Sequence, residues 1–324
     1  MNRREVLPLA AAGLLSGFAG WRGGRSDSQR AALRTGGNAV VAIQRASSYS
    51  DDLAGCLMEG LTACGLEVAG KKVLLMPQLA AFDATNAVNT HASVLAAAFA
   101  VLGELGATEV RVGAGSEFYR DTMALAEAAG YRDSIPNFDD VFVDLNADDV
   151  ETMAGFSNKG QILLPVSAMR ADLVVSLAKM KTDVCSGASL SMMNLFGLVP
   201  ANVYGWPPDA IHGLDFPTSV FELTRIFRRS FAIVDGIVGM ENGGPLKGDS
   251  KAAGVLIMGR DLPAVDATCC RVMGLDPHKI DYLKLSAGRQ GIIEEGRIEQ
   301  RGEAIEHVRS RFVLPMEQAE LRLA

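Results

Sequence analysis

Basic residues are in deficit. Thirty-one Lys and Arg stand against 38 Asp and Glu, for a formal charge of -7 and a pI near 5.2. A chain of that balance has no electrostatic footprint for wrapping nucleic acid or coating an anionic bilayer, so no nucleic-acid partner is expected. Cysteine is scarce and poorly spaced for chemistry: Cys56, Cys64, Cys185, Cys269 and Cys270 contain no C-x-x-C pair. That excludes zinc ribbons, iron-sulfur runs and thioredoxin chemistry, and the odd count points to mostly free thiols. Aromatics are few, with 2 Trp, 5 Tyr and 13 Phe. The N-terminal apolar run is shorter than the ~20 residues that span a bilayer, so no membrane span is expected in the mature chain. What remains is 48% hydrophobic and rich in glycine, with 34 residues of that type in 324. This is the composition of a globular α/β protein with many tight strand-to-helix turns.

Residues 1–26 read as an export signal and the start of a linker. Arg3 and Arg4 precede an apolar run from Val6 to Ala19, and Gly17 and Ala19 supply the small residues of a cleavage site. The paired arginines resemble a twin-arginine signal, which predicts a periplasmic or otherwise exported protein and the twin-arginine machinery as a partner. That route carries folded proteins and so raises the expectation of a bound cofactor, without naming one.

Beyond a linker around residues 22–38, short apolar runs alternate with helical stretches. Strands are predicted at Val40 to Ile43, Val73 to Met76, Glu109 to Val112, Val141 to Leu145, Leu173 to Leu177, Phe231 to Val234 and Val255 to Met258. Helices are predicted at Asp51 to Cys64, at Asn89 to Leu105 with Thr90 as N-cap, and at Tyr119 to Ala129. This alternation predicts a three-layer α/β fold, with a mainly parallel sheet and helices on both faces. One domain is expected over 38–292, with a possible extra lobe from the 186–250 region, and 293–324 as a peripheral C-terminal segment.

Ligands in such folds bind at the carboxyl ends of the strands. The Gly113-Ala114-Gly115 turn has two glycines of a dinucleotide fingerprint, but Phe118 occupies the third position. The Gly243 to Gly248 segment has the glycine spacing of a phosphate loop, yet Asp249 stands where its lysine belongs, so a glycine-rich hairpin is the better reading.

A third set of motifs is more telling. Lys179-Met-Lys181-Thr182-Asp183 follows an apolar strand and precedes Ser189-Leu-Ser-Met-Met-Asn194-Leu-Phe-Gly197. Together with Val73 to Leu79, Thr90-His91, Val112-Gly-Ala-Gly-Ser116, Ile233-Val-Asp-Gly-Ile237, Gly239-Met-Glu241, Gly244-Pro245 and Asp261 to Ala267, this ordered series resembles the bacterial and archaeal family called domain of unknown function 362. The resemblance runs from about residue 38 to 292. It implies pocket positions but no reaction, and this chain lacks the ferredoxin-like module of some members. The chain also departs from the family pattern. Met76-Pro-Gln78 replaces Lys-Pro-Asn, Asp183 replaces the His of Lys-Thr-His, and Met193 replaces the Lys of Lys-Asn. Three cationic or titratable groups are lost.

The retained polar residues predict a site. Lys179, Lys181, His212 and Asp235 are the candidate catalytic residues; Asn194, Gly244, Gly248 and Asp249 the candidate substrate contacts; Asp235 and Asp266 the candidate metal ligands. Asp266 can equally offset a helix dipole just after Pro263, and His91 a similar local role at its own helix start. Lys179, Lys181, Asn194, His212, Asp235 and Asp266 are expected to converge on one cleft at the carboxyl edge, with the Gly243 to Asp249 loop at its rim. The first functional expectation is an exported enzyme acting on a small anionic substrate with a metal or redox cofactor. The alternative is a non-catalytic periplasmic binding or maturation protein. Methionine in place of lysine keeps an apolar stem and removes charge, so the pocket should favour anions less than those of its relatives.

Overall fold

A computed structural model describes residues 38–83, 87–116, 120–157, 160–205 and 215–323. The expected export signal and His212 lie outside the described residues. Asn38–Ala324 forms one compact unit.

Eleven strands are described: β1 (Ala39–Arg45), β2 (Lys72–Pro77), β3 (Glu109–Ala114), β4 (Phe142–Asp144), β5 (Val150–Ala154), β6 (Gln161–Pro165), β7 (Leu173–Asp183), β8 (Gly187–Ser189), β9 (Ser230–Glu241), β10 (Asp249–Gly259) and β11 (Ile298–Gly302). A nine-stranded sheet has the order β11-β1-β10-β9-β7-β2-β3-β4, with β8 added beside β7; β5 and β6 form a separate hairpin. Within the large sheet, β11/β1, β9/β7, β7/β2, β2/β3 and β3/β4 pair in parallel, whereas β10 and β8 run against their neighbours. The sheet is mainly parallel, as the alternating sequence pattern predicts.

The central strands explain their own position. All residues of β7 are buried, and β9 is buried nearly throughout, which is the continuous apolar pattern of strands covered on both faces. One core packs β1, β2, β7 and β9 against α1 (Leu53–Ala63) and α2 (Ala92–Glu104). On the other side α5 (Phe216–Ile226) and α6 (Leu262–Met273) cover the same strands. Between these in sequence lie α3 (Thr122–Ala128) and the short α4 (Ser191–Asn194). Acidic caps start the helices: the Asp52, Asp121, Asp215 and Asp261 side chains accept from Gly55, Ala124, Thr218 and Ala264 N–H groups. Proline follows at the start of α5 and α6, where its missing N–H costs nothing.

Two sequence expectations need correction. The N-cap of α2 is His91, whose Nδ1 accepts from Ser93 N at 3.2 Å. Thr90 instead ties two strands together, its Oγ1 donating to Leu177 O (2.7 Å) and accepting from Gln78 N (3.0 Å). The cap of α6 is Asp261, which leaves Asp266 in the body of that helix. The segment after residue 292 supplies the outermost strand β11 and the buried Phe312.

Candidate functional site

The chain reverses its lateral direction at β2. From there β3 and β4 extend to one edge, while β7 and β9 lie on the other side. A crevice at the carboxyl ends of strands flanking such a reversal is where ligands of open α/β sheets bind. A cleft of about 360 Å³ opens there, lined by Met76 to Leu79, Gly115-Ser116, Asp183, Cys185, Ser189, the α4 residues Met193 and Asn194, Phe196, Val199, Phe216 and Pro245. Its walls are mostly apolar, and the Phe196 and Phe216 rings stack at 5.2 Å.

The polar groups of this cleft are buried and positioned. Gln78 is 7% exposed, and its Oε1 accepts from Lys179 N at 3.1 Å, which turns Nε2 away from β7. Asn194 is 6% exposed and donates both amide hydrogens, to Met76 O (3.0 Å) and Ser176 Oγ (3.1 Å), so its Oδ1 faces elsewhere. Asp183 Oδ1 accepts from Cys185 N and Ser186 N at 2.8 and 2.7 Å. Cys185 itself is exposed, and partial burial together with the neighbouring Asp183 pushes its thiol pKa up, which favours the protonated, weakly nucleophilic form. Among the described residues lining this cleft there is no lysine, arginine or histidine.

Lys179 and Asp235 face the opposite side. They are register partners on β7 and β9, and strand alternation points both toward α1 and α2. Lys179 Nζ donates to Asp235 Oδ2 (2.5 Å), Tyr49 OH (2.8 Å) and Val238 O (3.1 Å), so all three of its hydrogens are engaged. Asp235 also accepts from His91 N (3.1 Å) and Ile237 N (3.2 Å). Burial lowers the Lys179 pKa, with Asp235 opposing, and raises that of Tyr49. The His91 ring stacks on Tyr49 at 3.6 Å and 7°. Its stacked face is shielded while its edge opens to solvent, and the shielding holds its pKa low despite Asp235. With Nδ1 taken by Ser93 N, the neutral ring carries its proton on Nε2. A second cleft of about 350 Å³ lies over this group, lined by Tyr49, Phe82, Asn89, His91, Lys179 and Val238 among others.

Lys181 is fully buried, its Nζ donating to Val88 O (3.1 Å) and Pro245 O (3.0 Å), and does not project from a strand edge. Asp266 lies on α6, across the sheet from Asp235, with Oδ1 accepting from Ser191 N (2.9 Å) and Ser191 Oγ (2.5 Å) and Oδ2 from Met192 N (3.1 Å). It anchors the start of α4. The structure therefore does not bring the two expected metal ligands together, and no group of three or more His, Cys, Asp or Glu suited to a metal exists among the described residues.

The glycine-rich segment is a hairpin turn, since Asp249 pairs with Glu241 across β9 and β10. Asp249 is exposed and accepts from Asn242 Nδ2 (2.9 Å), and Gly248 packs on β9. Gly244 has φ +87°, and a Cβ there would meet the Thr182 carbonyl, so only glycine lets the turn close onto β7. This contact places Pro245 at the cleft. Of the expected set, Asn194 lines the first cleft, Lys179 the second, and Asp235 lies beneath it. Sequence reasoning did not single out Tyr49, Ser189, Phe196 or Phe216 as site residues. The signal for Tyr49 was its place just past the carboxyl end of β1.

The motif order agrees with one comparison. A model of the family described as "Domain of unknown function (DUF362)" matches residues 73–271. The chain belongs to this family. A thylakoid-associated protein of Synechocystis sp. is 28% identical over 237 residues, covering 69% of this chain and 70% of the relative. In overall fold the chain is similar to the lactate racemase apoprotein from Thermoanaerobacterium thermosaccharolyticum. The TM-score is 0.50 at 14% identity, covering 75% of this chain and 58% of that structure's chain. The chain thus spans little more than half of that structure's length, and the likeness concerns fold alone. Met76, Asp183 and Met193, the three departures noted in the sequence, all line the 360 Å³ cleft.

Proposed function

We propose that this member of the family is an exported, non-catalytic binding or maturation protein. Its ligand is a small, largely apolar molecule without negative charge, held in the cleft at the ends of β2, β3 and β7. One observation carries the reading. The three positions where the family pattern has Lys, His and Lys all line this one cleft, and here they are Met76, Asp183 and Met193. Two ammonium groups are replaced by thioethers and an imidazole by a carboxyl group, so among the described lining residues an anion entering the cleft meets Asp183 and no lysine, arginine or histidine. The only thiol among the described lining residues favours its protonated form, which suits binding better than nucleophilic catalysis.

The test uses two dyes of similar apolar body. The neutral N-phenyl-1-naphthylamine should bind the purified protein at least about tenfold more tightly than 8-anilinonaphthalene-1-sulfonate. Met193→Lys should narrow or reverse that preference, because one charge-assisted contact is worth roughly 1.5 to 3 kcal/mol. Preference of the unaltered protein for the sulfonate overturns the reading.

Export belongs to the same proposal and rests on the Arg3-Arg4 pair and the apolar run behind it. No helix among the described residues is long and apolar enough to cross a membrane. Arg3→Lys combined with Arg4→Lys should leave folded protein in the cytoplasm; undiminished periplasmic recovery contradicts the twin-arginine assignment.

The enzyme reading draws on a specific observation of its own, the contact of His91, Tyr49, Lys179 and Asp235 beside the second cleft. Clustered groups with shifted pKa values are a mark of acid-base sites. Here three of the four are engaged with one another, and only the His91 edge is open. Native-state mass spectrometry and metal analysis of the exported protein separate the readings, since a retained metal or redox cofactor favours the enzyme.

A further inference from the structure

We infer that the 360 Å³ cleft recognises a neutral carboxamide or lactam edge on an apolar body. This rests on the binding reading above and names the head group it requires. Gln78 and Asn194 are each more than nine-tenths buried, and each has one half of its amide fixed by the fold. The Lys179 N–H holds Gln78 Oε1, so the Nε2 hydrogens, which have no partner among the described residues, are the half that the cleft receives. Met76 O and Ser176 Oγ hold Asn194 Nδ2, so Oδ1 is the half left for a ligand.

The cleft thus presents one N–H donor and one carbonyl acceptor from residues tied to the same strand end. Asn194 bonds the carbonyl of Met76, two residues before Gln78. A carbonyl accepting from Gln78 and an N–H donating to Asn194, on one planar ligand edge, describe a primary carboxamide or a lactam. A carboxylate offers two acceptors, sets one against Asn194 Oδ1, and adds charge to a cleft that already holds Asp183. An ester or ketone leaves Asn194 unpaired. Ser189, 2% exposed and with no side-chain partner among the described residues, is a further polar contact for the ligand. The apolar body lies against Met193, Phe196, Val199 and Phe216. Sites whose buried polar groups are matched by a ligand reject analogues that lack the match far more strongly than they discriminate among apolar shapes.

Three probes with one ring system decide the matter: 2-naphthamide, 2-naphthoate and methyl 2-naphthoate, titrated calorimetrically against the full-length purified protein. The carboxamide should bind at least about tenfold more tightly than either of the others, the scale of one buried hydrogen bond. Gln78→Glu keeps the acceptor for Lys179 N and replaces the donor by an oxygen, and it should weaken 2-naphthamide by tenfold or more. The ranking of the three probes on the unaltered protein needs no variant, so it stands even if Gln78→Glu fails to fold. Equal binding of the carboxamide and the methyl ester overturns the head-group inference. If N-phenyl-1-naphthylamine still binds in that case, the cleft reading survives; if no probe binds, both fall.

Discussion

Asp235→Ala should destabilise the protein by about 3 to 5 kcal/mol, the usual consequence of leaving one member of a buried ion pair without its partner. Lys179 is 1% exposed and Asp235 fully buried, so the ammonium would be left largely out of water without its partner. Burial already lowers the Lys179 pKa and Asp235 opposes that shift, so removal of the carboxylate drives the lysine toward its neutral form or the strand pair apart. The loss extends further, because the same carboxylate accepts from the His91 N–H that opens α2 and lies within reach of the Tyr49 hydroxyl. Lys179→Met with Asp235→Leu should recover most of the stability, since a packed apolar pair avoids the desolvation penalty altogether. Urea unfolding of the two variants measures this. A cost below about 1 kcal/mol for Asp235→Ala would show that water reaches the pair.

These two residues also show what the sequence could and could not say. The apolar runs Leu173 to Leu177 and Phe231 to Val234 that lead into them were legible as parallel strands, but β7 and β9 continue to Asp183 and Glu241 and leave both residues in mid-strand rather than at the carboxyl ends. Their partnership was not legible. Whether Lys179 reaches into a cleft or across to a neighbouring strand depends on the lateral order of strands, and β9 lies beside β7 although β8 and several helices intervene in the chain. The face each side chain takes is set by register, and a single-residue change of register would send Lys179 to the other side. Asp235 and Asp266 illustrate the same limit: both are carboxylates near the same edge in sequence terms, yet the sheet separates them. The cleft itself was more legible than its chemistry, because the replaced positions Met76, Asp183 and Met193 belong to motifs at the ends of β2 and β7 and on the next helix. What the motifs could not show is that Gln78 and Asn194 each have half an amide held by the backbone.

Asp266→Asn should remove the fall in stability that the burial of this carboxyl group predicts between pH 5 and pH 8. Burial raises the pKa of Asp266 to about 7, against the hydrogen bonds from Ser191 and Met192 that favour the ionised form. No lysine or arginine pairs with it among the described residues; the groups around it are Cys269, Cys270 and Tyr282, whose own pKa values burial and this carboxylate push upward. In the unfolded chain the ordinary value is about 3.9. The folded state therefore binds the proton more tightly. The favourable contribution is complete below about pH 4 and is lost as pH rises through about 7, for a total of about 4 kcal/mol, of which about 2.5 falls between pH 5 and pH 8. Asparagine keeps an oxygen for Ser191 but turns an N–H toward Met192, so the variant should be the less stable protein at pH 5. Because it carries no titrating group, its deficit should shrink by about 2.5 kcal/mol by pH 8, read as the difference between the two urea midpoints at each pH. A deficit that stays constant across that range would mean that Asp266 is ionised throughout, stabilised at the start of α4 more strongly than its burial opposes. Either result bears on the cleft, since Ser191 and Met192 lead directly into Met193 and Asn194 on its wall.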